Sequence, residues 1–333
     1  MSVLQALQRK NSENPTSTKP KVVAFDAPGR RNLPPDLFGP GLAIGSPRSA
    51  FDGQPNSSLG TALPDVETGL TAGAKPNADT LTRSHRRPLP DCVSWTVDAE
   101  RVEPRLVAIT SPNSSYCEEY RSLRTNVLHK SQRQNLQAIV VASANPSEGK
   151  SVTAVNLAWM LAQTDGVRAL IIDSDLRMPS LADYLGIETE KGLSDILTSD
   201  ARLQDTIVKL EPSGLYLLAG GTARPDVAEL ISGPKYAELL AEAREMFDYI
   251  IIDAPPLAIF TDATVLINKA DGALLVVRAN RTKYSALDRI LEPLMPKDRM
   301  LGVILNQSEE VLDESHYNYG YYNYRRMAED AAS

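Results

Sequence analysis

The stretch Leu136-Gln137-Ala138-Ile139-Val140-Val141-Ala142-Ser143, continued by Ala144-Asn145-Pro146-Ser147-Glu148-Gly149-Lys150-Ser151, decides the fold of this chain. An almost uninterrupted apolar run gives way to small, turn-forming residues, and Gly-Lys-Ser then opens a helical stretch near Ser151–Gln163. A strand, a loop and a helix N-terminus in that order make an anion cradle, because backbone N–H groups curl around a phosphate and the positive end of the helix dipole faces it. In this Walker A reading Gly149 allows close approach of the backbone, Lys150 reaches the β- and γ-phosphates, and Ser151 offers its hydroxyl to Mg²⁺. Ser147, Glu148 and Val152 complete the residues expected around an ATP phosphate chain. Ala144 stands where the general pattern has its first glycine.

On either side of this stretch, short Val, Ile and Leu-rich runs alternate with amphipathic segments. Ala169–Asp173, Leu215–Ala219, Tyr249–Asp253, Ala273–Arg278 and Met300–Asn306 read as strands. Pro179–Leu185, Asp226–Ile231, Lys235–Phe247, Asp262–Asn268 and Lys283–Leu294 read as helices. Strands apolar along their whole length and separated by helices predict an α/β fold, a mainly parallel sheet covered by helices on both faces. Ligands in such sheets bind beyond the carboxyl ends of the strands.

Two more strand ends carry the chemistry this position calls for. Ala169-Leu170-Ile171-Ile172 ends in Asp173-Ser174-Asp175-Leu176-Arg177, and Tyr249-Ile250-Ile251-Ile252 ends in Asp253-Ala254-Pro255. Carboxylates here suit Mg²⁺, held directly or through water, and proton acceptance. Ser151, Asp175 and Asp253 are the expected metal-side residues, and Lys150, Asp173, Asp175 and Asp253 the expected catalytic set. Asp173 and Asp175 are alternative bases. Arg177 is read as a positional or phosphate-facing charge. Asn306, closing the last strand, is a candidate for the adenine, and Asp262 reads as a helix N-cap.

The chain has 333 residues with a formal net charge of −7. An acidic balance argues against an extended nucleic-acid surface. Cys92 and Cys117 stand 25 positions apart without histidine partners, which excludes zinc modules, iron–sulfur clusters and disulfide scaffolds. Apolar runs fall far short of a membrane span, so a cytoplasmic protein is expected. Proline is concentrated upstream, with 14 of 23 in residues 1–112. Composition there cannot offset chain entropy. Residues 1–105 are therefore expected to be disordered, 106–312 to form the nucleotide domain, and 313–333 a tyrosine-rich tail. That tail holds Tyr317, Tyr319, Tyr321, Tyr322 and Tyr324, five of the chain's 12 tyrosines. By composition it could equally be an aromatic tail or an edge strand. Upstream of the first strand, Tyr116, Tyr120, Leu123 and Val127 form one helical stripe, with Glu118, Arg121 and Arg124 on a neighbouring face.

Walker A, Asp-x-Asp-x-Arg and aliphatic-Asp-x-Pro in this order resemble the motifs A, A′ and B of the bacterial tyrosine kinases of capsular and exopolysaccharide biosynthesis, over about residues 112–326. The resemblance implies a P-loop NTPase fold using ATP and Mg²⁺, and autophosphorylation of the five tail tyrosines in a neighbouring subunit. It makes Glu118, Arg121 and Arg124 an oligomerisation motif, and implies a ring that dissociates on phosphorylation and a cognate tyrosine phosphatase. It also implies a transmembrane activator of the polysaccharide co-polymerase class that recruits the chain to the inner face of the cell membrane. The main alternative is a partitioning or positioning ATPase without kinase activity, whose signature lysine is missing from Ala144-Asn145. A dinucleotide-binding dehydrogenase is excluded, since no Gly-x-Gly-x-x-Gly follows a strand.

Overall fold

The computed structural model describes residues 19–23, 87–89, 91–285, 287, 290 and 299–308. Their elements run, in chain order, β1 (Lys19–Val23), β2 (Ser94–Thr96), α1 (Val107–Thr110), α2 (Ser115–Gln134), β3 (Ala138–Ser143), α3 (Lys150–Ala162), β4 (Ala169–Asp173), α4 (Leu181–Tyr184) and α5 (Leu193–Thr198). They continue through β5 (Val208–Glu211), β6 (Leu215–Leu218), α6 (Val227–Ser232), α7 (Pro234–Met246), β7 (Tyr249–Asp253), α8 (Asp262–Lys269), β8 (Gly272–Arg278) and β9 (Met300–Ser308). The tail tyrosines 317–324 and most of the upstream region lie outside the described residues, as does much of the helix expected over 283–294.

The strands form one sheet in the order β1-β9-β8-β3-β7-β4-β6-β5-β2. From β9 to β6 all neighbours are parallel. Pleating sends alternate residues of each strand to opposite faces, and the core divides accordingly. Val140, Ala142, Ile172 and Ile252 pack on the face covered by α5, α6, α7 and α8. Ile139, Val141, Ile171 and Ile251 pack on the face covered by α1 to α4. Burial on both faces is what makes these strands read as continuous apolar runs.

Ordered elements also lie upstream of residue 106. β2 pairs with β5, β1 pairs antiparallel with β9, and Val97, Val102 and Leu106 are buried. The stripe on α2 also differs, because Cys117 is buried in the place expected for Tyr116, with Tyr120, Leu123 and Val127 as anticipated. The helix starts at Ser115, capped by the Ser114 hydroxyl, which accepts from the Cys117 amide. Spacing of i, i+3 from Tyr120 puts Cys117 on that face as readily as i, i+4 puts Tyr116, so only the first position of the stripe differs.

At the opposite end of the sheet from the phosphate loop, Asp271 fastens β3 to α7. Its carboxylate accepts the Gln137 and Ala138 amides at 2.9 and 2.7 Å, and the Arg244 guanidinium grips both oxygens at 2.8 Å. Burial alone would raise its pKa, but the Arg244 fork and the two amides outweigh it and hold the carboxyl below the usual carboxylate range. Asp271→Ala strands two amides and a guanidinium, and is expected to cost about 2–4 kcal/mol in urea denaturation at pH 7. Because the folded-state value is depressed, the gap from wild type should shrink as the pH falls below about 4.

Candidate functional site

β3, β7 and β4 lie side by side, and their carboxyl ends meet in register: Val141 pairs with Asp253, and Asp253 with Asp173. The sheet therefore brings the three motifs together without any help from the loops. Register puts the Asp173 and Asp253 side chains side by side on one face, from neighbouring strands.

Beyond Ser143 the phosphate loop turns back through two left-handed residues, Ser147 (φ 61°) and Gly149 (φ 93°). Gly149 is required on two counts. Its φ disfavours a side chain, and a Cβ there would sit 2.0 Å from Asn306 Nδ2. Lys150 and Ser151 begin α3, a helix of 13 residues whose core side is almost entirely buried. The first N–H groups of that helix face the loop and have no intrahelical partners.

Lys150 occupies the centre of the site. Its Nζ lies 2.9 Å from Asp175 Oδ2, 3.5 Å from both Asp253 oxygens and 3.1 Å from Ser151 Oγ. Burial would pull the ammonium pKa down, yet Asp253 and Asp175 more than offset it and hold the group above its usual range. Asp253 is completely buried, and burial raises its carboxyl. Asp173 is also completely buried; its Oδ2 accepts the Ser180 and Leu181 amides at 2.8 and 3.0 Å, and its Oδ1 only the Asp175 amide at 3.3 Å. Desolvation, with the Asp253 charge beside it, pushes the Asp173 carboxyl up to about 7.

Several residues take up positions the sequence could not give. Arg177 does not face the loop: its Nε donates to Asp262 Oδ2 at 2.8 Å, and its guanidinium stacks 4.5 Å over the Phe260 ring. Asp262 is not the N-cap of α8, a place taken by Thr261, but the buried partner of Arg177. Asn306 donates its Nδ2 to the Glu148 carbonyl at 2.8 Å, and its Oδ1 accepts the Gln307 amide. Its side chain is therefore committed to the loop's backbone. Glu148 is buried and accepts from Asn145 N, Asn145 Nδ2 and Thr282 Oγ1. Val152 is buried in the first turn of α3. On α2, Arg121 pairs with Glu118 and donates to the Pro112 carbonyl at 2.7 Å. Arg124 is half-buried with its Nη1 3.5 Å from the Met160 carbonyl.

A cleft of about 370 Å³ opens beside the loop, lined by Asn145, Pro146, Ser147 and Glu148 and by Arg278, Arg281 and Lys283. Among the described residues no cluster of three or more His, Cys, Asp or Glu is built to hold a metal alone. A divalent cation at Ser151, Asp175 and Asp253 would share its coordination with phosphate oxygens, the usual arrangement for Mg²⁺.

Comparison with known proteins follows the same lines. Residues 136–295 match the model of the family described as AAA domain. Tyrosine-protein kinase YwqD of Bacillus subtilis (strain 168) is 34% identical over 223 residues, covering 67% of this chain and 92% of that protein. This chain belongs to the bacterial tyrosine kinases. The succinoglycan biosynthesis transport protein ExoP of Rhizobium meliloti (strain 1021) is also similar, 34% identical over 208 residues, or 61% of this chain and 26% of that longer protein. The kinase domain of the Escherichia coli tyrosine kinase ETK superposes with a TM-score of 0.58 at 27% identity, covering 61% of this chain and 79% of that one. The similarity to named tyrosine kinases thus extends to both sequence and fold. Among the described residues no helix of this kinase is long and apolar enough to cross a membrane.

The buried acids store instability in the ligand-free kinase. A carboxyl raised to about 7 contributes stability in full below its unfolded value and loses it as the pH rises through 7. Asp173→Asn keeps an oxygen for the Ser180 and Leu181 amides but removes the charge. In calorimetric melts without nucleotide it is expected to be more stable than wild type by roughly 2–4 kcal/mol at pH 8, with the difference vanishing near pH 4.

Proposed function

We propose that this kinase transfers the γ-phosphoryl group of ATP to tyrosine hydroxyls, its acceptors being Tyr317, Tyr319, Tyr321, Tyr322 and Tyr324 of a neighbouring copy. The observation that carries the reading is Lys150 at the head of α3, its ammonium shared among Asp175, Asp253 and Ser151. A cation held this way is poised to exchange carboxylate oxygens for phosphate oxygens. The left-handed turn at Ser147 and Gly149 and the free amides of α3 complete a cradle that suits a phosphate chain.

Mg²⁺, when bound, neutralises charge developing on the phosphate oxygens. Ser151, Asp175 and Asp253 are the residues that would hold it. When Lys150 turns to the phosphates, Asp175 loses its 2.9 Å partner and becomes available to that cation. A tyrosine phenol titrates near 10, so at neutral pH it must hand its proton to a neighbour as it attacks. Asp173 is assigned that role. Its Oδ1 carries only the 3.3 Å bond from the Asp175 amide, and its carboxyl is pushed up to about 7, close to the working range of a general base. Arg177 positions the Asp-x-Asp turn through Asp262.

The same reading makes Glu118, Arg121 and Arg124 of α2 a contact with the neighbouring copy in a ring, which phosphorylated tails, each gaining about −1.5 to −2 charge per tyrosine, would open. A tyrosine phosphatase would reset it. The kinship with ExoP, named for succinoglycan biosynthesis transport, supports a role in controlling exopolysaccharide or capsule polymerisation and export. A transmembrane co-polymerase partner at the inner face of the membrane would then supply recruitment.

Incubation with Mg-ATP and detection of phosphotyrosine tests the reading. Lys150→Met is expected to label at least about 100-fold more slowly. A chain with the five tail tyrosines changed to Phe should also stay unlabelled. When the two variants are mixed, the Lys150→Met chain should become labelled, since its neighbour supplies the active site. Undiminished labelling of Lys150→Met alone overturns the proposal.

A further inference from the structure

A glutamate in the middle of a phosphate loop is an electrostatic problem. Glu148 lies between Ser147 and Gly149, the two left-handed residues of the bend. A carboxylate free at that point would compete with phosphate for the loop's own amides. The structure disposes of it by burial, leaving Glu148 3% exposed, and by giving the carboxylate three donors. Two come from Asn145, whose backbone N and side-chain Nδ2 each lie 2.9 Å from a different oxygen. The third is Thr282 Oγ1, 2.5 Å from Oε1 and 134 residues along the chain.

The direction of that third bond is settled by its other partner. Thr282 Oγ1 accepts the Arg278 amide at 3.0 Å, so its single proton is free to go to Glu148. The run Arg278 N–H to Thr282 O–H to Glu148 is a polarised relay, and its last link is short, as charge-assisted hydrogen bonds are. The turn that presents Thr282 is closed a second time by its own amide, which donates to the Arg278 carbonyl at 3.0 Å. Asn306 meanwhile grips the Glu148 carbonyl from β9. The loop's one acidic residue is therefore clasped from the ends of β8 and β9, beside the cleft that bears Arg278, Arg281 and Lys283.

We propose that Thr282 is a positioning residue for the phosphate loop, acting through Glu148. Its hydroxyl keeps the carboxylate turned away from the amides that receive the phosphates, and loss of it weakens nucleotide binding rather than the transfer step. The inference rests on the assignment of the loop as the ATP site.

The test uses the full chain and four variants: Thr282→Val, Thr282→Ser, Glu148→Gln, and the double variant Thr282→Val with Glu148→Gln. KM for Mg-ATP and kcat are read from phosphotyrosine formation on the Lys150→Met chain as acceptor, and affinity for Mg-ADP is read by titration calorimetry. Thr282→Val is expected to raise KM and the Mg-ADP Kd about tenfold, while kcat changes by less than about threefold. Thr282→Ser should restore both constants. On the Glu148→Gln background, where no charge needs holding, the valine should cost less than about threefold. A Thr282→Val chain with unchanged KM and Kd overturns the proposal, and so does an equal cost on both backgrounds or a serine that fails to rescue. If wild type forms no phosphotyrosine, the kinase reading fails while the Mg-ADP titrations still decide the role of Thr282.

Discussion

Everything at the top of this sheet is arranged around one ammonium group among three buried carboxylates. Asp173, Asp175 and Asp253 are carried there by two parallel strands, and each is expensive to bury as an ion. Lys150 is the counter-charge that makes the cluster tolerable. Breaking any one of these contacts leaves charge without water or partner. The cost falls on folding, and in the proposed function the return is a pocket in which an incoming phosphate chain would find its cation already in place. Active sites commonly hold such tension, since groups arranged for a transition state are seldom arranged for stability.

The scaffold that permits this is rigid for an ordinary reason. β3, β7 and β4 are apolar on both faces and clamped between two helical layers, so the strand ends have little freedom. Placement of Asp173 opposite Asp253 is a matter of register, and a slip of one residue would turn one side chain to the opposite helical layer. Loops contribute refinements. Asn306 and Thr282 hold the phosphate loop from the neighbouring strand ends, and Arg177 anchors the acidic turn.

What could be read from the chain alone followed from local pattern. The parallel core strands and the three motifs were legible because a doubly buried strand writes itself as Val, Ile and Leu, and because Gly-Lys-Ser and strand-end aspartates stand at fixed offsets. β5 was not, since Val208-Lys209-Leu210-Glu211 alternates over only four residues and lies antiparallel to β6, one place in from the edge strand β2. β2, three exposed residues in a polar stretch, carries no periodic signal at all. Cys117 rather than Tyr116 fills the first place of the α2 stripe because i, i+3 and i, i+4 spacings from Tyr120 serve a helix face equally well. Within the site, the missed contacts are all long-range: Arg177 with Asp262 spans 85 residues, and Glu148 with Thr282 spans 134. A lone Thr after a strand, or an Asp at a helix start, has too many uses for its spacing to choose among them.

The clasp of Arg177 on Asp262 and Phe260 joins two parts of the chain that sequence motifs treat as separate. Arg177 follows the acidic pair after β4, whereas Asp262 begins α8, the helix after β7. The guanidinium makes one mechanical body of the turn that carries Asp175 and the helix that follows Asp253. The helix α8 and the turn that carries Asp175 are thereby joined through side chains alone, without a path across the sheet. In the proposed assembly, a neighbour pressing on that helix would act on the acidic turn through the same lever.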